Sequence, residues 1–101
     1  ENVASREVEE VICTHPAVSE VAVFGVPHPR WIEVVMAVVV LRAGQSATVD
    51  ELIAYCRERM AGYKAPKRVE VIEQLPKNAS GKILKRELRD RFADRGNGPG
   101  A

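Results

Sequence analysis

The chain has 101 residues, of which 46% are hydrophobic and 29% are charged, and its formal net charge at pH 7 is +1. This length allows one domain with a single modest core, and the balanced charge excludes the basic excess that is typical of nucleic-acid-binding domains. The longest apolar run, Val34 to Leu41, is far shorter than the roughly 20 residues of a membrane-spanning helix, so no transmembrane segment is predicted.

The first half of the chain predicts one helix followed by two strands. Apolar residues at helical spacing predict a helix that Ser5 caps and that ends before Pro16. Two strands follow, over Glu20 to Val26 and over Val34 to Leu41. The first of these strands is apolar on both faces, as a buried strand is expected to be.

The second half predicts a helix, a short strand and a last helix. Thr48 and Glu51 have the spacing of a capping box at the start of the second helix, and Gly62 is predicted as its left-handed C-cap. A third strand is predicted over Lys67 to Ile72 and a last helix over Ile83 to Phe92. The inner stripe of this last helix consists of Leu84, Leu88 and Phe92.

These elements predict an α+β domain in the order α-β-β-α-β-α. We expect a three-stranded sheet with the helices packed against one of its faces. Residues 93–101 are polar and rich in glycine and predict a disordered tail, which leaves the folded domain at residues 1–92. The polar start at Glu1, without a methionine, indicates a piece of a longer polypeptide.

Two cysteines, Cys13 and Cys56, fall on apolar helix faces. Neither has the spacing of a metal site or of a Cys-x-x-Cys motif. We therefore expect both cysteines to be buried like small hydrophobic side chains, with no metal site and no disulfide, in a protein of the reducing cytoplasm.

Three loops contain residues that the core does not explain, and the third of them holds Lys82. Trp31, the only tryptophan, either packs at the edge of the sheet or forms a flat wall for an elongated ligand. His28, between two prolines, is interpreted as a turn residue. In the loop from Gly62 to Lys67, Tyr63, Lys64 and Lys67 either contact a phosphate and an adenine ring, or they are two solvated charges beside an aromatic that covers the core.

The segment from Leu75 to Lys82 places a lysine on a turn of small residues, directly before the last predicted helix. Gly81 can adopt backbone angles that are closed to other residues. The long ammonium of Lys82 can reach out of its own domain toward a phosphate or carboxylate; the alternative is an ordinary surface lysine. The first glycine of a Walker-type phosphate loop is missing. Because no complete catalytic set is present, we expect catalysis to need a second domain.

Four segments in order carry a resemblance to a known family. They are Glu1-Asn-Val-x-x-Arg-Glu-Val-Glu9, Val23-x-Gly-Val-Pro-x-x-Arg-Trp31, Met60-Ala-Gly-Tyr-Lys-Ala-Pro-Lys67 and Leu75-Pro-Lys-Asn-Ala-Ser-Gly-Lys82. Over residues 1–92 the chain resembles the small, mobile C-terminal domain of the adenylate-forming enzymes, which include acyl-CoA synthetases, adenylation domains of peptide synthetases and firefly-type luciferases. The Gly-Tyr-Lys-Ala-Pro-Lys segment that ends at Lys67 and the Arg-Trp pair that ends at Trp31 are most similar to fatty-acyl- and aryl-CoA synthetases.

The resemblance implies a reaction in two steps. With magnesium, a carboxylic acid attacks ATP to form an acyl-adenylate; the small domain then rotates, and the thiol of coenzyme A attacks the adenylate. Lys82 matches the adenylation lysine, with Gly81 beside it at the ATP/AMP site. ATP and Mg²⁺ are bound mainly by the large N-terminal domain of the same polypeptide, which is the expected partner together with the acid. The small domain by itself is expected to be inactive.

The resemblance also implies a coenzyme A surface. Trp31 matches a wall of the pantetheine tunnel, whereas Tyr63 and Lys67 match positions near the nucleotide end of coenzyme A. Asn2 belongs to a segment that faces the active site in the second step. The implied enzyme is a fatty-acyl- or aryl-CoA synthetase; the alternatives are a ligase or adenylation domain that loads a carrier protein, and a non-enzymatic interaction module.

Overall fold

The computed structural model describes residues 3–27, 30 and 33–96, and it confirms the predicted α+β order of elements. The helices are α1 (Val3–Cys13), α2 (Val49–Arg59) and α3 (Lys85–Gly96), and the strands are β1 (Val18–Pro27), β2 (Glu33–Leu41) and β3 (Arg68–Val71). β2 lies in the middle of the sheet, antiparallel to β1 and parallel to β3.

Helices cover both faces of the sheet. Odd-numbered strand residues such as Val23 and Val39 belong to a core cluster with α1 and α2, whereas even-numbered residues such as Phe24 and Val38 belong to a second cluster with α3. The expected arrangement with all helices on one face is therefore wrong. A strand that is apolar on both faces needs a layer on each side to bury it.

Helix α1 begins earlier than expected. It starts at Val3, so Ser5 lies inside the helix and the prediction that Ser5 caps it is wrong. Ser5 is only 8% exposed, and its position three and seven residues before Val8 and Ile12 places it on the same helix face as these two core residues. The sheet covers that face.

Helix α2 begins as predicted and ends differently. Glu51 N–H donates to Thr48 Oγ1 at 3.0 Å, and Thr48 N–H donates to Glu51 Oε1 at 3.3 Å, which confirms the capping box. The helix ends at Arg59, and the C-cap residue Met60 has an extended backbone (φ −149°) that leads the chain away. Gly62 has no positive φ, so its predicted role as a left-handed C-cap is wrong.

Helix α3 is shifted toward the C-terminus. It begins at Lys85, because Ile83 instead forms an antiparallel bridge with Lys77. It continues to Gly96, so residues 93–96, which we expected in the disordered tail, are helical. Residues 97–101 lie outside the described residues. The predicted inner side chains Leu88 and Phe92 are fully buried.

The two cysteines differ in environment. Cys56 is buried in the core as expected, whereas Cys13, at the end of α1, is exposed, which makes the prediction wrong for this residue. Desolvation raises the pKa of both thiols, and at Cys13 the nearby Glu9 carboxylate raises the pKa further. Across the described ranges, no helix has the length and apolar character to cross a bilayer, and no three His, Cys, Asp or Glu side chains are grouped as metal ligands.

Candidate functional site

Lys82 lies on a tight turn that is closed by the bridge between Lys77 and Ile83. Asn78 N–H donates to the Lys82 carbonyl at 2.9 Å, and Gly81 N–H donates to the Asn78 carbonyl at 3.0 Å. Gly81 has φ +87°, in the left-handed region that favours glycine. Open space surrounds the position of a Cβ atom at Gly81, so the turn requires glycine for its backbone conformation and not for close packing.

The side chain of Asn78 organises this turn. Its Oδ1 accepts hydrogen bonds from Ser80 N–H at 3.0 Å, from the Ser80 hydroxyl at 2.8 Å and from Lys82 N–H at 3.0 Å. Sequence reasoning assigned no role to Asn78. The sequence does indicate such a role, because an asparagine before small residues favours a turn in which the side-chain oxygen accepts backbone hydrogen bonds.

Three lysines in this segment have different surroundings. Lys77 Nζ lies 2.5 Å from the Glu20 carboxylate, and Lys85 Nζ lies 2.9 Å from the Glu9 carboxylate. Between them, Lys82 is exposed, and its ammonium makes no hydrogen bond or ion pair with any residue that the structure describes. The segment is thus held at both ends while its middle lysine remains available to an external anion.

An open groove of about 670 Å³ surrounds Lys82 at the outer edge of β1. Its lining consists of Glu9, Val21, Asn78, Lys82, Ile83, Leu84, Lys85, Arg86 and Arg89. Four of these side chains are cationic and one is anionic, so the groove favours an anion such as a phosphate or carboxylate. Arg86 and Arg89 were not predicted as site residues; the basic outer face of the last helix was their signal in the sequence.

A second groove, of about 430 Å³, brings together Tyr63 and Lys67. Glu33, Val34, Val35 and Ala65 complete its lining. Tyr63 is 82% exposed, so the alternative in which it covers the core is wrong. Lys67 N–H donates to the Val35 carbonyl at 2.9 Å, which fastens this loop to β2. An exposed tyrosine beside a lysine can bind a ligand that combines an aromatic ring with a phosphate, because the ring stacks on the tyrosine and the phosphate pairs with the ammonium.

The remaining lysine of this loop is paired. Lys64 Nζ lies 3.4 Å from the Glu7 carboxylate, and the two side chains are 39% and 43% exposed. Lys64 is therefore a half-exposed charge in an ion pair. The pair connects the loop to α1.

The two grooves lie far apart on the sheet. Val21 in the first groove faces Val39, whereas Glu33 in the second groove faces Pro27. Val39 is four steps along β2 from Val35 and six from Glu33, which both line the second groove, so the two grooves are offset by about 13–20 Å at ~3.3 Å per residue. The structure therefore does not bring Lys82 together with Tyr63 and Lys67; it places them on separate surfaces.

Asn2, His28 and Trp31 lie outside the described residues, so their predicted roles stay predictions. In the sequence, Trp31 precedes Glu33 by two residues. Glu33 lines the groove with Tyr63 and Lys67.

Comparison with known proteins assigns the family. Residues 7–82 match the family of the AMP-binding enzyme C-terminal domain. The chain belongs to this family. A feruloyl-CoA synthase from an Amycolatopsis species is 52% identical over 92 residues, which are 91% of this chain and 19% of that protein. A fatty acid–[acyl-carrier-protein] ligase, ScoC, from Streptomyces coeruleorubidus is 47% identical over 92 residues, which are 91% of this chain and 18% of that protein.

The fold of this AMP-binding enzyme C-terminal domain is also found in solved structures. ATP-bound MatB from Rhodopseudomonas palustris superimposes with a TM-score of 0.87 at 35% identity, over 91% of this chain and 18% of that one. The chain thus spans about one fifth of the length of the proteins it matches. The predicted family and fold are confirmed: the chain is similar to the C-terminal domain of acyl-CoA synthetases and ligases.

Proposed function

We propose that this AMP-binding enzyme C-terminal domain is the catalytic lid of an ATP-dependent acyl-CoA synthetase. In the first step, the acid's carboxylate attacks the α-phosphorus of ATP, which forms an acyl-adenylate and releases pyrophosphate. In the second step, the thiol of coenzyme A attacks the acyl carbon, forms the thioester and releases AMP and a proton. The observation that carries the proposal is the ammonium of Lys82, which pairs with none of the described residues, on a turn held at both ends.

Lys82 acts in the first step. Its ammonium would lie between the acid's carboxylate and the α-phosphate, where it offsets the negative charge of both and favours their approach. Gly81 permits the turn that presents this side chain. The described residues form no group of acidic ligands, and a cationic groove repels Mg²⁺, so this surface does not fit the metal. We assign Mg²⁺ and most of the ATP contacts to the N-terminal domain.

The second groove acts in the second step. Tyr63 provides a face on which the adenine of coenzyme A can stack, and Lys67 provides a cation for its phosphates. Trp31 and Asn2 complete this surface in the proposal. Because the two grooves are separate surfaces offset by about 13–20 Å along β2, we expect the domain to rotate between the steps so that each groove faces the active site in turn.

A carrier-protein acceptor is the second candidate function. It is favoured by the 47% identity to the ligase ScoC, whose name specifies an acyl carrier protein. Both acceptors present a thiol to the acyl-adenylate, so the first step is common to the two candidates. Only coenzyme A carries an adenine nucleotide for the groove with Tyr63 and Lys67.

Replacing Lys67 with alanine separates these acceptors. If coenzyme A is the acceptor, we expect its KM to rise about 10- to 100-fold, since a hydrogen bond to a charged group contributes about 1.5–3 kcal/mol, and ATP–pyrophosphate exchange should not change. Trp31→Ala should raise the same KM. Arg57→Ala, which removes an exposed cation from α2, is the matched control. An unchanged KM in both variants would favour the carrier protein.

The function itself is tested with the intact enzyme that contains this domain. We expect thioester and AMP in equal amounts when ATP and coenzyme A are supplied with an acid from a panel that includes ferulate, butyrate and longer fatty acids. Mass spectrometry identifies the thioester. The 101-residue chain alone should release no AMP; AMP release by this chain, or no adenylate with any acid, would contradict the proposal.

Asn78→Ala tests how the turn presents Lys82. The substitution removes the acceptor of three hydrogen bonds, and we expect ATP–pyrophosphate exchange to fall about 10-fold because misplacing a catalytic group is costly. Asn78→Asp, which keeps the acceptor oxygen, should retain most of the rate. Equal rates for the alanine variant and the parent enzyme would show that this side chain does not order Lys82.

A further inference from the structure

Two carboxylates of α1 point to opposite sides of the helix. Glu7 and Glu9 are two residues apart, which corresponds to a rotation of about 200° at 3.6 residues per turn. Each is paired with a lysine of a different element: Glu7 with Lys64 of the loop after α2 at 3.4 Å, and Glu9 with Lys85, the first residue of α3, at 2.9 Å. Helix α1 therefore contacts one element of each groove.

Glu9 joins three elements at the outer edge of β1. Its Oε2 accepts a hydrogen bond from Val23 N–H at 2.9 Å and forms the ion pair with Lys85 Nζ at 2.9 Å. The side chains of Lys85 and Glu9 are only 23% and 20% exposed, so solvent and salt screen this pair less than a surface pair. Lys85 begins α3, three residues after Lys82. The contact fixes the base of the Lys82 turn against α1 and β1.

Glu7 has the corresponding position on the other side. Its partner Lys64 lies between Tyr63 and Ala65, and Ala65 is buried in the core. Lys64 Nζ also lies 6.0 Å from the centre of the Tyr63 ring. The pair thus restrains the exposed Tyr63 from the side of α1, although its greater exposure makes it weaker than the Glu9 pair.

We propose that α1 positions the two functional segments independently, with Glu9 as a positioning residue for Lys82 and Glu7 as a positioning residue for Tyr63. This inference rests on the proposed function, because it assigns Glu9 to the adenylation step and Glu7 to the thioester step. Neither carboxylate contacts substrate in it; each acts through the lysine that it binds. One helix would then influence two half-reactions through separate contacts.

The test compares three glutamine variants of the intact enzyme, with the best acid of the panel as probe. ATP–pyrophosphate exchange measures the first step, and thioester formation from synthetic acyl-adenylate measures the second. We expect Glu9→Gln to lower exchange about 10-fold and to leave the second step unchanged. Glu7→Gln should raise the KM of coenzyme A about 3-fold and leave exchange unchanged. Glu10→Gln, on the same helix but exposed, should change neither step.

Several features of the design separate positioning from general stability. Glutamine keeps an acceptor for Val23 N–H, so Glu9→Gln should fold, and Lys85→Arg should retain most of the exchange rate because it keeps the charge. Glu9→Gln combined with Lys85→Met should cost no more than either change alone, since both remove one contact. The proposal assigns Glu9 to the adenylation step and Glu7 to the thioester step. It is overturned if Glu7→Gln and Glu9→Gln each lower the rates of both steps equally, or lower the rate of neither step.

The Lys82→Ala variant, measured in the same assays, distinguishes a failure of this inference from a failure of the proposed function. If Lys82→Ala leaves exchange unchanged, the proposed function fails and the inference fails with it. If Lys82→Ala abolishes exchange while Glu9→Gln and Glu7→Gln both behave like Glu10→Gln, the proposed function stands and only the positioning role is refuted.

Discussion

Replacing Lys82 with alanine in the intact enzyme is expected to lower the rate of acyl-adenylate formation by at least ~10²–10³, in line with the loss of a charge-stabilising donor at other acyl-transfer centres. The side chain is exposed, and its ammonium forms no hydrogen bond or ion pair with the described residues, so its removal should leave the fold intact. ATP–pyrophosphate exchange measures the effect. The lost rate reflects the ammonium of Lys82, and the neighbouring Lys77 and Lys85 cannot take its place because both are bound to carboxylates.

The second half-reaction is the internal control for this variant. Thioester formation from synthetic acyl-adenylate and coenzyme A should stay within a few-fold of the parent enzyme, because a different surface of the domain then faces the active site. Survival of pyrophosphate exchange together with collapse of thioester formation would reverse the assignment. Such a result would place Lys82 in the second step.

Replacing Phe92 with alanine is expected to destabilise the domain by about 3–5 kcal/mol. Phe92 is fully buried and, with Leu88, attaches α3 to the face of the sheet that α1 and α2 do not cover. Removing its ring leaves a cavity in the core cluster that also contains Phe24 and Met36. Urea denaturation of the 101-residue chain, monitored by circular dichroism, measures the free energy of unfolding.

Asp90→Ala is the control for this substitution. Asp90 is exposed on the same helix, and surface changes are usually within about ±0.5 kcal/mol. If Phe92→Ala and Asp90→Ala had the same free energy of unfolding, α3 would not be part of the core. The arrangement with helices on both faces of the sheet would then be contradicted. Loss of the adenylation step in Phe92→Ala at temperatures where it is folded would further link α3 to Lys82.

The elements of the fold could be predicted because their signals are local. Alternation, helical spacing and the capping box of Thr48 and Glu51 gave all six elements in order. The position of helices on both faces of the sheet was not predicted, because it depends on contacts between elements that are distant in the sequence. The two apolar faces of β1 nevertheless required a helix layer on each side. Ser5 and Gly62 were misassigned since a short polar residue fits inside a helix, and an extended Met60 ends α2 without a glycine.

The candidate site could be predicted only in part. The turn that carries Gly81 and Lys82 was predicted because a glycine among small residues is typical of a turn with a positive φ. The contacts that hold the turn were not, since Glu9 and Glu20 are distant from it along the chain and meet Lys85 and Lys77 only after folding. Residue type and spacing do not specify such long-range ion pairs.

The most direct test is a crystal structure of the intact enzyme with a non-hydrolysable acyl-adenylate analogue and without coenzyme A. We expect the Lys82 ammonium at hydrogen-bonding distance, about 2.7–3.2 Å, from an oxygen of the acyl or α-phosphate group, with Tyr63 and Lys67 turned away from the ligand. A structure in this state in which Tyr63 and Lys67 face the adenylate and Lys82 points to solvent would contradict the proposed role of Lys82.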